Sequence, residues 1–289
     1  GKGEVCSLGK CATTCGANLK QCKDANSNDV CVDTKNDPSN CGACNTQCAA
    51  GKVCQAGACE VCSAAPLFAM RSVMKHSRIA VNNSGFARGS GPWTFEFWVR
   101  IHGLYATSDP SHPTYGHLFD MNENYAAYAI RPIVSYERKL YAYTYNDTSG
   151  PWNMSIKTSP IPALDTGWHH FAMVYDGDGS GRAYLDGVLQ GAQTGLAPII
   201  NATSTMAIGS AAGYFPGYET APVSLGGIRY SKTARYTNTA PFAPASSWSV
   251  DENTIAQYLT KQGLGDELVD EAGGDNNGKI IQGWVVELP

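Results

Sequence analysis

After Cys62 the chain has no cysteine, although all eleven of its cysteines lie between Cys6 and Cys62. Disulfides and thiolate metal sites are thereby excluded from the long remainder, which has length enough for a hydrophobic core of its own. Charge is also scarce: 16% of residues are charged and the net charge is −4. A nucleic-acid-binding domain wants a basic face. The nearest approach to one, Lys75-His76-Ser77-Arg78 with Arg71 and Arg88 nearby, reads as a solvated strand edge or loop. No apolar run approaches the ~20 residues of a membrane span. No signal peptide is read at Gly1. No histidine precedes His76.

What is present begins with a repeat. Val5-Cys6-Ser7-Leu8-Gly9-Lys10-Cys11 matches Val53-Cys54-Gln55-Ala56-Gly57-Ala58-Cys59 in spacing and in four of seven residues. One whole unit therefore runs from about Cys15 to Cys59, and Cys6 and Cys11 close an earlier one whose cysteine partners are expected upstream. A dense cysteine module implies an oxidising, extracellular or cell-surface setting. Cys6, Cys11, Cys15, Cys22, Cys31, Cys41, Cys44, Cys48, Cys54, Cys59 and Cys62 are all candidate disulfide residues. Their pairing is left open, with one necessarily unpaired within the chain, each bridge contributing about 2–4 kcal/mol. Zinc is the competing reading, because Cys41-x-x-Cys44 and Cys59-x-x-Cys62 have ligand spacing. Against it, no histidine is near and the other cysteines would have no role. The core DPSNCGACNTQCAAGKVCQAGAC (37–59) is similar to the stigma-specific secreted cysteine-rich family and to tandem repeats of secreted bacterial proteins.

Ser63-Ala64-Ala65-Pro66 reads as a linker. Beyond it, the stretch GWHHFAMVYDGDGSGRAYLDGVLQG (167–191) holds two strand-forming runs around a Gly-rich turn, with a second turn at Asp186-Gly187. The first run is apolar on both faces, so it belongs in the centre of a two-layer structure. Residues 67–81 form a first strand region, and Phe95, Phe97 and Val99 alternate along the next strand. Residues 118–152 read as a meander in which Tyr141, Tyr143 and Tyr145 share one face, either a sugar-stacking ladder or a half-buried sheet surface. Ser249-Val250-Asp251-Glu252 is a capping box, which predicts a helix ending at Gly263.

WHHFAMVYDG followed by AYLDGVLQG, with PWTFEFWVRI (92–101) and GGIRYSKTARYTNTAPFAP (226–244), resembles the laminin G-like, concanavalin A-like jelly rolls. That resemblance implies an all-β, two-sheet antiparallel jelly-roll sandwich with one short helix near the C-terminus, behind an N-terminal disulfide-rich loop module. The expected division is 1–62, a linker at 63–66, and 67–289.

Such folds carry lectins, glycosidases and protein-binding modules alike. The glucanase motif Glu-x-Asp-x-x-Glu is absent, Glu96 stands alone in its strand, and no Gly-x-Ser-x-Gly elbow occurs. His169 and His170, adjacent on a strand, point to opposite faces. The chain is therefore expected to lack catalytic activity.

Laminin G-like domains often hold one calcium ion. Two stretches alternate oxygen ligands: Asp120-Met-Asn122-Glu-Asn124, and Asp176-Gly-Asp178-Gly-Ser180, which the tight hairpin explains equally well. His112 and His117 are a weaker metal pair. The loops 102–117, 146–155 and 211–222 offer Tyr105, Tyr115, Trp152, Tyr214, Phe215 and Tyr218 as ligand-binding rings. Exposed aromatics among Asn, Asp and Ser suit a glycan or a cell-surface protein. The reading is a secreted, non-catalytic recognition module, lectin-like or adhesive. The alternative is a structural subunit that self-associates through its cysteine module, and a glycoside hydrolase comes third.

Overall fold

The computed structural model describes residues 5–7, 10–12, 15, 19–23, 27–35, 40–48, 52–55, 57–61, 69–74, 76–81, 91–103, 116–121, 128–135, 137–146, 154–162, 167–197, 206–209, 220–259, 267–274 and 276–287. The chain divides into two compact units. One comprises residues 1–63, 186–188 and 238–244, and the other residues 64–185, 189–237 and 245–289.

In the smaller unit, strands β1 (Val5–Ser7), β2 (Lys10–Ala12), β3 (Lys20–Lys23) and β4 (Asp29–Val32) form a sheet in the order β2-β1-β4-β3. Strands β5 (Lys52–Gln55) and β6 (Ala58–Val61) form a separate hairpin. The sequence repeat becomes a structural one: Cys6 stands opposite Cys11 in β1–β2, as Cys54 stands opposite Cys59 in β5–β6. Among the described residues four disulfides tie the unit together: Cys15–Cys31, Cys22–Cys44, Cys41–Cys54 and Cys48–Cys59. Cys41, Cys48 and Cys54 are themselves its buried cluster, with Cys59 packed against them. Among the described residues few apolar side chains are buried here, and covalent closure substitutes for them.

The larger unit is all β. In chain order its strands are β7 (Ala69–Ser72), β8 (Arg78–Val81), β9 (Trp93–Ile101), β10 (Gly116–His117), β11 (Phe119–Met121), β12 (Tyr128–Val134), β13 (Leu140–Asn146), β14 (Met154–Lys157), β15 (His169–Tyr175) and β16 (Gly181–Leu185). They continue as β17 (Val188–Gln193), β18 (Met206–Gly209), β19 (Val223–Ser231), β20 (Thr254–Tyr258), β21 (Glu267–Leu268), β22 (Gly278–Gln282) and β23 (Trp284–Glu287).

A nine-stranded sheet runs β14-β13-β12-β11-β18-β8-β22-β21, with β10 beside β12. An eight-stranded sheet runs β17-β16-β15-β9-β19-β7-β23, with β20 beside β19. Every pairing within these two sheets for which the register is recorded is antiparallel. The inward faces meet in one core. Phe119 of the nine-stranded sheet lies 4.8 Å from Phe95 and 4.7 Å from Phe97 of the eight-stranded one, ring centre to ring centre. β15, apolar on both faces in the sequence, is buried along its whole length. The last strand returns to the first, Glu287 pairing with Ala69.

Among the described residues there is no helix, so the helix expected from Ser249 is a strand instead. Asp251 does form a turn: its carboxylate accepts from the Asn253 amide and the Thr254 hydroxyl. Beyond it the β-branched pair Thr254-Ile255 and the buried Ala256 and Tyr258 favour a ladder on β19, with Ile228 opposite Tyr258. The capping box was a local preference that sheet pairing overrode. Asp270 is buried, accepting from the amides of Gln257 and Ala272 and from the side chain of Asn276.

Two edges of the sandwich are tied together by side chains. Gln193 of β17 accepts from the Ser155 amide of edge strand β14 at 3.1 Å, and Gln190 accepts from the Ser159 amide just beyond it at 2.9 Å. Amide donors that would otherwise invite another chain are thus occupied.

Candidate functional site

The strand alternation that sends Phe95 and Phe97 inward sends Thr94, Glu96 and Trp98 to the outer face of the eight-stranded sheet. There Glu96 is completely buried. Its Oε1 accepts from Arg229 Nε at 2.8 Å and Nη2 at 2.7 Å. Its Oε2 accepts from the Tyr236 hydroxyl at 2.6 Å and lies 3.0 Å from His170 Nε2. Burial alone would raise the Glu96 carboxyl. His170, Arg229 and Tyr236 more than offset it and hold the group below its ordinary value. Burial first, then the charge and hydrogen bond of Glu96, push the Tyr236 phenol far upward.

The cover over this cluster is the chain's own exit from β19. The Thr94 hydroxyl donates to the Thr233 carbonyl and accepts from the Arg235 amide. The Trp98 indole donates to Ala245, and the Tyr184 hydroxyl to Tyr236. Trp248 lies under the Arg229 guanidinium at 4.9 Å from ring centre. A side chain at Gly227 would come 3.0 Å from that indole, so the small residue makes the close packing possible. Arg235 is fixed in turn by a two-point pairing with Asp251 at 2.7 and 2.8 Å. The centre of this outer face, around Glu96, is therefore covered by the segments 233–237 and 245–248. Sequence reading had Glu96 and His170 in hand but not their meeting. Arg229 lies 133 positions from Glu96, and only the β9–β19 register joins them.

The residues singled out from sequence fall in several places. Tyr105, Tyr115, Trp152, Tyr214, Phe215, Tyr218, His112 and Asn122 lie outside the described residues, as does Cys62. Their flanks are described. The His102 amide donates to the Pro222 carbonyl at 2.9 Å, His117 bridges Thr220, and Gly116 has room for no side chain against Ala221. The loops between His102 and Gly116 and between Gly209 and Thr220 are thus anchored at one end of the sandwich. Strands β13 and β14, which flank Trp152, open at the other end, beside the row Met121–Met206–Val81.

Tyr141 and Tyr143 do share a face, with ring centres 5.0 Å apart. They are only 3% and 8% exposed, and the Lys157 ammonium lies 5.1 Å from the Tyr141 ring centre. They are the half-buried sheet surface, not an open stacking ladder.

Asp120 sits mid-strand in β11 opposite Ala207. Asp176 is paired with Arg182, and Asp178 accepts from the Ser180 amide at 2.9 Å, closing the β15–β16 hairpin. Asp176 Oδ2 is the atom that meets Arg182, while its Oδ1 is buried without a hydrogen-bond partner among the described residues.

Among the described residues the only close trio of metal-binding side chains is Cys41, Cys48 and Cys59. Of the zinc reading's two pairs, Cys41 and Cys44 are in different bridges, Cys44 being bonded to Cys22.

This is an antiparallel two-sheet sandwich, an architecture shared by lectins and glucanases. A family profile described as the concanavalin A-like lectin/glucanases superfamily matches residues 74–221, and the chain belongs to that family. No curated protein matches the chain. Among solved structures, a candidate carbohydrate binding protein from Bacteroides ovatus is similar at 15% identity and TM-score 0.54, over 76% of this chain and 60% of its own. The heptameric SAP-like pentraxin of Limulus polyphemus is similar at 16% identity and TM-score 0.46, over 77% of this chain and 95% of its own. Domains LG4-5 of mouse laminin alpha1 are similar at 13% identity and TM-score 0.41, over 59% of this chain and 44% of theirs. The chain thus spans 60% of the length of the first of these.

Proposed function

We propose that this protein is a secreted, non-catalytic recognition module whose sandwich binds carbohydrate through its aromatic loops. The observation that supports this reading is the state of Glu96. It is the acid of the early strand, it is fully buried, and all its hydrogen-bonding capacity is spent on Arg229, His170 and Tyr236. A retaining glycosidase needs two solvent-reachable carboxylates about 5–5.5 Å apart, and a sealed Glu96 cannot be one. The covered centre of the outer face also directs attention to the loops around Tyr105, Tyr115, Trp152, Tyr214, Phe215 and Tyr218. The description of the Bacteroides ovatus relative as carbohydrate binding agrees with this reading. Disulfides suit an extracellular location.

The test is a glycan array probed with the full chain, followed by titration of a hit. Tyr218→Ala or Tyr115→Ala is expected to weaken binding by about 1–3 kcal/mol with no change in melting temperature. Trp152→Ala is expected to weaken binding to a similar extent. Hydrolysis of any glycan by the wild type, lost on changing one carboxylate, would overturn the non-catalytic reading.

A second reading, a structural subunit of an extracellular assembly, is favoured by one observation. Val73, Met74, Ile281 and Val285 are 45–53% exposed, and they gather where the β7–β8 turn meets the β22–β23 link, beside edge strand β23. Exposed apolar clusters of this kind mark contact surfaces. A blank array together with high-mass oligomers in sedimentation would select this reading over the first.

A further inference from the structure

The two bridges Cys41–Cys54 and Cys48–Cys59 lie side by side. The sulfurs of Cys41, Cys48 and Cys59 are all within 4.8 Å of one another. Cys54 is bonded to Cys41 and stands directly opposite Cys59 in the β5–β6 hairpin, so all four sulfurs occupy one place. Cys41, Cys48 and Cys54 are 3%, 8% and 5% exposed, and Cys59 is partly buried against them. Zinc with four thiolates has Zn–S bonds of about 2.3 Å, and a tetrahedron of that size has sulfur–sulfur edges of about 3.8 Å. The sulfurs of Cys41, Cys48 and Cys59 thus already lie at a spacing close to that of such a site.

We propose that reduction converts this paired-disulfide pocket into a tetrathiolate site for a soft divalent cation, with Cys41, Cys48, Cys54 and Cys59 as ligands. The reductant is an external dithiol. For each bridge the S–S bond breaks, the dithiol gives up two electrons and two protons and closes to its own cyclic disulfide, and two thiols remain. Binding of one divalent cation by the four thiols then forms four metal–sulfur bonds and releases four protons. The ligands come from the Cys41–Cys48 segment and from both strands of the β5–β6 hairpin, so the cation replaces the two bridges as the cross-link between the same elements. The oxidised chain has no free sulfur in this pocket and binds no such cation there.

The experiment uses the full chain and cobalt(II) as the probe, before and after treatment with excess dithiol followed by its removal under nitrogen. The oxidised chain is expected to show no thiolate–cobalt absorption. The reduced chain is expected to show the visible bands of a tetrahedral tetrathiolate, saturating at one cobalt per chain and displaced by zinc. The double change Cys48→Ser with Cys59→Ser should abolish those bands. The double change Cys15→Ser with Cys31→Ser, which removes a bridge outside the pocket, should leave them intact. Circular dichroism of each oxidised variant separates loss of the site from loss of the fold. Retention of the bands in the Cys48/Cys59 variant, their loss only in the Cys15/Cys31 variant, or no tetrahedral spectrum in the reduced chain would each overturn the proposal. Stoichiometric zinc in the chain as purified, released without any reductant, would overturn its dependence on reduction.

Discussion

Glu96 owes its position to a two-residue period: Phe95 and Phe97 take the core, and the glutamate between them takes the covered outer face. Removing one partner of a buried, hydrogen-bonded charge cluster leaves the others uncompensated, at about 3–5 kcal/mol. Glu96→Ala is expected to lose that much in chemical unfolding, while ligand binding at the loops is preserved in the fraction that folds. The acid dependence has a definite sign. The folded carboxyl lies below its ordinary 4.5. Its contribution is therefore fully present above about pH 4.5 and is lost as pH falls through the depressed value. Asp251, held well below its ordinary value chiefly by the Arg235 hydrogen bond, acts in the same direction. More weakly so, since that side chain is 42% exposed and solvent screens it. Melting temperature followed from pH 7 to pH 2 should fall below about pH 4.5 in the wild type and flatten in Glu96→Gln. Equal slopes in the two proteins would place the acid sensitivity elsewhere. Gly209 is a second residue with no substitute: its φ is +95° and a Cβ would lie 2.2 Å from the Ser77 carbonyl oxygen. Gly209→Ala should destabilise the sandwich, read as a lower urea midpoint, by more than the roughly 1 kcal/mol of an ordinary glycine replacement.

At the scale of elements, the central hairpin was legible because its signals are local. Strand-forming runs flank glycines and aspartates, and Asp186 and Gly187 both take positive φ, as the tight return turn requires. The strand at Thr254 was not legible, because Ser249 to Glu252 carries a helix-start pattern and nothing nearby announces that Ile228 and Tyr230 offer a partner edge. The Glu96 cluster was illegible for the same reason: its members come from β9, β15, β19 and the segment after it. Register also sorts the two faces of β15. Val174 looks like a core position, yet it faces outward with Thr94 on one side and Arg182 on the other. Met173, its neighbour, points into the core. Met173→Asp is therefore expected to unfold the domain, at a cost of several kcal/mol. Val174→Asp should cost less, because Arg182 stands directly across. Chemical unfolding of both variants decides it, and equal losses would mean that Arg182 cannot reach.

At the scale of the whole molecule, the four described bridges account for eight of the eleven cysteines and leave Cys6, Cys11 and Cys62. Alkylation of the native protein without reductant should thus modify at most three thiols per chain, read by intact mass. A larger number would break the disulfide description of the smaller unit. The sandwich has a further property that comes from its first and last strands. Ala69 stands against Glu287 and Ser72 against Trp284, so the polypeptide enters and leaves this domain at neighbouring points. A load applied between those two points would pull β23 away from β7 one hydrogen-bonded pair at a time, as a zip opens, instead of shearing all the pairs together. The domain is thereby mechanically soft along that one axis. The same adjacency lets a short linker close the sandwich domain into a ring, with new ends opened in an exposed turn elsewhere.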